Sequence, residues 1–299
     1  MATAKDLDFT YSQIDRLFRL SLGEMADFSG AKYDGDFSLS LEAAQRRKHD
    51  FIAEWLGIGP GTRVLDLGCG WGPFLNYARG RGATGVGVTL SSAQAAACRR
   101  NGLDVHLRDV RDVGPDVFGT FDAVVSLGAF EHFCSPEAYR EGRQDEVYAS
   151  LFRSWRALLP TGRRFYLQTM VFGPNMLPID ALDIDAPRGS DPHVLALMMA
   201  QFPGSWLPYG LEQIERTAAP SFRVLHAESG RLDYIETIGQ WHRRFSEFSL
   251  PKLAVKLSLL PRWLASAQFR NAFTSGISPN RICFQRLLFD HYRIVLEAA

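Results

Sequence analysis

The segment Val64-Leu65-Asp66-Leu67-Gly68-Cys69-Gly70-Trp71-Gly72 constrains the fold more than any other part of the chain. Apolar and β-branched positions lead into three glycines spaced two apart, and Phe74-Leu75-Asn76-Tyr77-Ala78 then reads as a helix. The order is strand, tight turn, helix. Glycine tolerates the backbone such a turn demands, and its missing Cβ lets a ligand approach the main chain closely. The spacing is G-x-G-x-G with Asp66 two residues ahead, not the G-x-G-x-x-G of a pyrophosphate loop.

Strand and helix signals alternate after this turn. Strands are predicted over Thr84 to Thr89, Val105 to Leu107, Phe121 to Leu127 and Phe165 to Met170, with late strands over Phe222 to His226 and His291 to Leu296. Ser91 has the chemistry of an N-cap for a helix through Asn101, and Glu146 to Leu159 reads as a helix stopped by Pro160 and Gly162. The alternation predicts an α/β chain with a doubly wound, mostly parallel sheet. Upstream, Ile14, Leu17, Phe18 and Leu22 predict a helix within residues 11 to 29. After a Gly30–Gly35 loop, Leu41 to Leu56 reads as a second helix ending at Gly57, and Pro60-Gly61 as a turn.

Residues 172–209 break the pattern with Pro, Asp and Gly around the apolar runs Val194–Met199 and Phe202-Pro203-Gly204-Ser205-Trp206. Two readings stand, a lid or substrate wall and a surface excursion packed on the sheet. The expected organisation is an N-terminal helical cap over 1–58, a core over 59–171, a substrate-side insertion over 172–215, and a C-terminal part of the core over 216–299 with a helical insertion at about 246–285.

Charge narrows the partners. There are 33 basic and 33 acidic side chains and no long Lys/Arg run, which argues against a nucleic-acid partner. Four cysteines without a C-x-x-C pair read as reduced thiols, and the start lacks signal-peptide features, so a cytoplasmic protein is expected. No apolar run is long enough to span a bilayer. Residues 251–270 mix Leu253, Val255, Leu257, Leu259, Leu260, Trp263 and Leu264 with Lys252, Lys256, Arg262 and Arg270. They read first as a packed helix pair interrupted at Pro261, with transient contact to a membrane surface as the alternative. Homo-oligomerisation is left open.

The G-x-G-x-G turn fits the S-adenosylmethionine loop of Rossmann-like methyltransferases, where the turn receives the amino-acid end of the cofactor. Together with Gly85-Val86-Gly87-Val88-Thr89-Leu90-Ser91-Ser92-Ala93-Gln94 and Phe121 through Phe130-Glu131-His132-Phe133, it resembles the cyclopropane fatty-acid and mycolic-acid cyclopropane synthases. Leu41 to Lys48, and Phe202-Pro203-Gly204 with Leu207-Pro208, are similar to further family segments, and the likeness covers roughly residues 30–245. The resemblance implies a class I methyltransferase, a doubly wound Rossmann-like sheet with N-terminal helices and a helical insertion over the active site. Its cofactor would be S-adenosylmethionine.

By this resemblance, Asp66, Gly68, Gly70 and Gly72 form the methionine-end turn. Thr89 and Gln94 replace the usual ribose-binding acid, since a hydroxyl and an amide can both bond neutral hydroxyls. Tyr33 would close over the cofactor and Asp34 would meet its ammonium. Asp109 and Arg111 would lie by the adenine, with Leu90, Val110 and Leu127 completing the set.

Family chemistry adds the sulfonium methyl to an alkene and leaves a carbocation that must lose a proton. Glu131, just past a core strand and flanked by Phe130 and Phe133, is the first candidate for that work. His132 and Cys134 lack further partners at ligand spacing, so no metal is expected. The synthases hold a bicarbonate base with a Cys, a Glu, a His and a Tyr. Glu131 and Tyr234 match two of these, whereas Gly35 and Gln168 stand at the other two positions. These departures count against bicarbonate and cyclopropane closure. The expectation is C-methylation of an alkene carbon in an apolar lipid or isoprenoid-like acceptor, with Glu131, Tyr234, His132 and Gln168 as catalytic candidates. The alternative is N- or O-methylation of a small secondary metabolite.

Overall fold

The computed structural model describes residues 20–265 and 278–299. One seven-stranded sheet organises them, with spatial order β3-β2-β1-β4-β5-β7-β6. The strands are β1 (Arg63–Leu67), β2 (Thr84–Thr89), β3 (Asp104–Leu107), β4 (Ala123–Leu127), β5 (Arg164–Phe172), β6 (Phe222–Ser229) and β7 (Phe289–Ala298). The first five run parallel, and β7 is antiparallel to both β5 and β6. Every residue of β1 after Arg63 is buried, as a central parallel strand covered on both faces requires. One apolar cluster includes Leu65, Val124, Phe130 and Trp155; another includes Ile52, Val64, Phe74 and Tyr166.

The helices used below are α1 (Leu41–Leu56), α2 (Pro73–Gly80), α3 (Ser92–Arg100), α4 (Gln144–Arg156), α5 (Asp191–Gln201), α6 (Gly210–Ala218), α7 (Arg231–Ser246), α8 (Leu250–Ala265) and α9 (Ser278–Gln285). The Ser40 side chain caps α1, which stops at Gly57 in the left-handed region with φ +65°. The Ser91 side chain accepts from the Gln94 amide and starts α3, as the sequence predicts. The order of the strands reverses between β1 and β4. In such sheets ligands sit beyond the carboxyl ends of the strands at that reversal.

Several boundaries differ from the sequence reading. Of the helix expected over 11–29, residues 11–19 lie outside the described residues, and residues 20–29 form turns and loop. They are tied down by side-chain bonds to α1 rather than by helical ones. β4 begins at Ala123 rather than Phe121, α4 spans Gln144–Arg156, and β5 to β7 run longer than predicted because antiparallel pairing extends them. Pro261 does not interrupt α8. The carbonyl it leaves without an amide belongs to Leu257, which is exposed, so water can bond it. Residues 266–270 of the helix pair expected over 251–270 lie outside the described residues; on α8, Leu250, Leu253, Leu257, Leu260 and Leu264 stand exposed at helical spacing, while Val255 is buried. Across the insertion after β5, α5 buries Val194, Leu195 and Met198, and Trp206 is fully enclosed. The insertion is therefore packed on the sheet and walls a cavity at the same time.

Candidate active site

Two cavities open at the carboxyl ends of the strands. The first is lined by Asp66, Gly68, Gly70, Thr89, Leu90, Gln94, Asp109, Val110 and Leu127 from the sequence-predicted set. β1, β2 and β4 end side by side, so their terminal residues reach this cavity together. Gly70 has φ +54°, and a Cβ on it would meet no atom within 4 Å, which leaves its main chain open to a ligand. The Thr89 hydroxyl donates to Gln94 Oε1 at 2.8 Å and accepts from the Ser91 amide at 3.2 Å. An uncharged hydroxyl–amide pair thus stands at the end of β2.

The carboxylates at this cavity are unlike one another. Asp27 is buried, which pushes its carboxyl up, yet Lys48 at 2.7 Å and His49 at 2.9 Å hold it well below the usual range. Asp66 forms no ion pair among the described residues, and Lys48, which is bonded to Asp27, offsets its burial only in part. Burial, and then the charge of Asp27, push Asp66 up to about 8. Its Oδ1 has no hydrogen-bond partner. A cationic amino group would supply one, so the orphaned oxygen and the open glycine turn both fit the amino-acid end of an S-adenosyl cofactor.

Other predicted cofactor residues lie elsewhere. Gly72 caps α2, and a Cβ there would collide with Leu103, so it serves close helix packing rather than the cavity wall. Tyr33 is fully buried in the apolar cluster of Leu41, Trp71 and Trp241, behind the cavity rather than on its lining. Asp34 is turned to the surface, where it pairs with Lys32 at 2.7 Å. Arg111 is exposed and folds back on Asp109. Sequence reasoning missed Ala26, Asp27, Phe28 and Ser29, an early segment that also lines the cavity. A signal was present: Lys48 and His49 sit together on the buried face of α1, and buried charges need partners. Lys48 donates to Asp27, Ser29 and Gln45 at 2.6–2.7 Å, which pins that early segment over the cavity.

The second cavity adjoins the first. Phe28, Gly128 and His132 line both. Its other walls are Glu131, Tyr234, Asn280 and Phe289, with Met170, Met198, Met199, Phe202, Ser205 and Leu207. Glu131 Oε1 accepts from the Met170 amide at 2.8 Å, and Oε2 has no partner. Burial pushes this carboxyl up to about 7. Burial pushes the His132 imidazole down to about 4, so the ring is neutral, and its Nδ1 lies 2.8 Å from Ser205 Oγ. Among the described residues no group of three His, Cys, Asp or Glu could hold a metal ion, and the four cysteines are free.

Gln168 and Gly35 lie outside this cavity. Gln168 Nε2 donates to the Gly30 carbonyl at 2.9 Å and its Oε1 accepts from Tyr166 at 3.2 Å, so both ends of the amide are engaged. Gly35 is exposed. Gly30, rather than Gly35, is the loop glycine beside Tyr234: a Cβ there would press on both Tyr234 and His291. His291, which sequence reasoning missed, pairs with Met170 across β5 and β7 and packs against the Tyr234 ring at 4.7 Å. An imidazole therefore does approach Tyr234, from β7 rather than β5.

Residues 2–257 match the family model described as mycolic acid cyclopropane synthetase. The chain belongs to that family. It is 30% identical over 242 residues to cyclopropane mycolic acid synthase 2 of Mycobacterium leprae (strain TN), covering 77% of this chain and 76% of the relative. It is 34% identical over 235 residues to the cyclopropane-fatty-acyl-phospholipid synthase of Escherichia coli (strain K12), covering 77% of this chain and 53% of that protein. The fold is similar to the structure of the cyclopropane synthase MmaA2 from Mycobacterium tuberculosis, with TM-score 0.76, 24% identity, and 100% and 99% of the two chains covered. This family member is an S-adenosylmethionine-dependent methyltransferase. No helix among its described residues is long and apolar enough to cross a membrane.

Proposed function

We propose that the enzyme transfers a methyl group to an alkene carbon of an apolar lipid or isoprenoid-like acceptor and does not close a cyclopropane. One observation carries the reading: a buried carboxyl, Glu131, stands among aromatic and methionine side chains in a cavity that meets the cofactor cavity at Phe28, Gly128 and His132. Apolar walls exclude water, which a weak alkene nucleophile requires. When bound, S-adenosylmethionine supplies an electrophilic methyl, and its addition to the alkene leaves a carbocation on the acceptor. Phe28, Phe202, Phe289 and Tyr234 line the cavity in which such a cation would form, and aromatic rings stabilise positive charge. Glu131, in its ionised form, takes the proton that ends the reaction. Its position near 7 leaves a usable fraction ionised at neutral pH.

Two observations support an outcome other than a cyclopropane. Gln168 is committed to Gly30 and Tyr166, and no cysteine of the described residues lines the acceptor cavity. The partners that the synthases use for bicarbonate are therefore only half present. The exposed leucines of α8, with Lys256 on the same helix, offer the contact for an acceptor held in a membrane surface. Retention on anionic vesicles in a flotation assay checks that contact.

The experiment for the main reading uses S-adenosylmethionine with a fully deuterated methyl group and a panel of unsaturated lipids. Direct loss of a chain proton keeps three deuterons in the product. Ring closure removes one of them. A product with two deuterons in a ring would overturn the proposal, and dependence on bicarbonate would then identify the base.

A further inference from the structure

The acceptor cavity has a polar atom that methyl transfer does not explain. Asn280 on α9 is 6% exposed and lines this cavity with Glu131, yet its Oδ1 has no hydrogen-bond partner. Leaving a buried acceptor unpaired is destabilising, because the group gives up its bonds to water and gains none in return. Glu131 Oε2 is also unpaired, but a base needs a free oxygen. Asn280 has no such excuse. An amide neither titrates at neutral pH nor stabilises a carbocation as a carboxylate does. Its Oδ1 therefore neither holds a loop nor caps a helix. Most of the wall around it is methionine, phenylalanine and leucine, which would suit a bare hydrocarbon better without the amide.

We infer that the acceptor carries a hydrogen-bond donor, a hydroxyl or an amino N–H, which seats on Asn280 Oδ1 while the remainder of the molecule fills the apolar walls. The substrate class is then an unsaturated lipid alcohol or amine, not a plain hydrocarbon chain. The inference rests on the methyl-acceptor reading of this cavity and names what that acceptor must bear. Asn280 becomes a specificity-determining residue supplied by a helix outside the residues that resemble the family motifs. A site built to bond a hydroxyl discriminates strongly against an analogue lacking it, because the buried partner is then stranded.

The test compares oleyl alcohol, oleylamine and 9-octadecene as acceptors with labelled S-adenosylmethionine. The wild-type enzyme is expected to favour the alcohol or the amine over the hydrocarbon by on the order of a hundredfold in kcat/KM. Asn280→Leu should bring the ratio to within about threefold, with the thermal shift given by S-adenosylhomocysteine intact. Asn280→Asp separates the two sources: it should raise the preference for the amine if an ammonium sits there, and weaken alcohol turnover without that gain if a hydroxyl does. It also carries the test if Asn280→Leu does not fold. Equal use of hydrocarbon and alcohol by the wild type would overturn the inference, as would a ratio that Asn280→Leu leaves unchanged. Acceptor binding read by tryptophan fluorescence keeps the two readings apart. Alcohol bound in preference to hydrocarbon, without methylation, would uphold the donor seat and remove the alkene acceptor.

Discussion

The cofactor cavity and the acceptor cavity share three residues and are built on opposite plans. Apart from the early segment Ala26–Ser29, the cofactor cavity comes from short runs at the ends of adjacent parallel strands, and the polar groups at the end of β2 are already bonded to one another. The acceptor cavity draws on elements far apart in the chain, from Phe28 to Phe289, and its unpaired oxygens, on Glu131 and Asn280, come from two of those distant elements, whereas the orphaned oxygen of the cofactor cavity belongs to Asp66 beside the turn. A turn and a hydroxyl–amide pair need fixed local geometry, so they stay together in sequence. A cavity assembled from separate elements can change its walls one side chain at a time, without disturbing the sheet. The difference predicts that variants in one half should leave the other half working.

The largest expected effect is in the acceptor half. Glu131→Gln keeps the shape and the Met170 bond but removes the base, so turnover should fall about 10²–10⁴-fold. The melting shift caused by S-adenosylhomocysteine should stay within about a degree of the wild type. The wild-type rate should rise with pH to a plateau above about 7, and the variant should lose that limb. Stability gives an independent sign. Burial holds the Glu131 pKa above its unfolded value, so its neutral form is favoured in the folded state; stability is fully kept below about 4.5 and lost as pH rises through about 7. Thermal melts should therefore show Glu131→Gln gaining on the wild type at pH 8 relative to pH 5. Loss of the cofactor shift in this variant would break the separation between the halves.

The next effect lies in the cofactor half. Gly68 has φ +90°, and a Cβ on it would collide with the Ala129 methyl. Gly68→Ala therefore combines backbone strain with a clash at the mouth of the cavity, and should weaken S-adenosylhomocysteine by about a hundredfold in calorimetry. Gly70→Ala is the sharper control, because nothing lies within 4 Å of its added methyl in the protein alone. It should melt nearer to the wild type than Gly68→Ala does, yet still bind poorly, since the methyl would occupy ligand space.

What the sequence made legible follows the same division. The β1 turn, the Thr89/Gln94 pair and the strand alternation rest on local spacing, and the sheet places them as that spacing implies. Phe28 and Asp27 were not legible as cavity residues, because the loop bearing them has no periodicity; its position depends on Lys48, His49 and Gln45 of α1. Tyr33 and Asp34 follow that loop away from the cavity. Asn280 and His291 enter only through the long return of the chain to β7 between β5 and β6, a pairing no local pattern announces. Gln168 was visible as a departure from the expected His. Its commitment to Gly30 was not, since the partners are 138 residues apart.

The smallest effect is also the most diagnostic of the cofactor half. Thr89→Val preserves the branched shape that suits the end of β2 and removes only the hydroxyl. The Ser91 amide then loses its acceptor and Gln94 Oε1 loses its donor. Net hydrogen bonds of this kind contribute about 1 kcal/mol each, so S-adenosylhomocysteine should bind roughly tenfold more weakly. Turnover at saturating cofactor should barely move, because nothing in the acceptor cavity has changed. Gln94→Leu should give a loss of similar size. The two residues are bonded to each other, so their losses in the double variant should fall short of the sum, with a coupling of at least about 0.5 kcal/mol. Strict additivity would mean that each acts on the cofactor alone. A drop in saturated turnover would mean instead that the end of β2 also orients the acceptor, and the two cavities would then have to be treated as one.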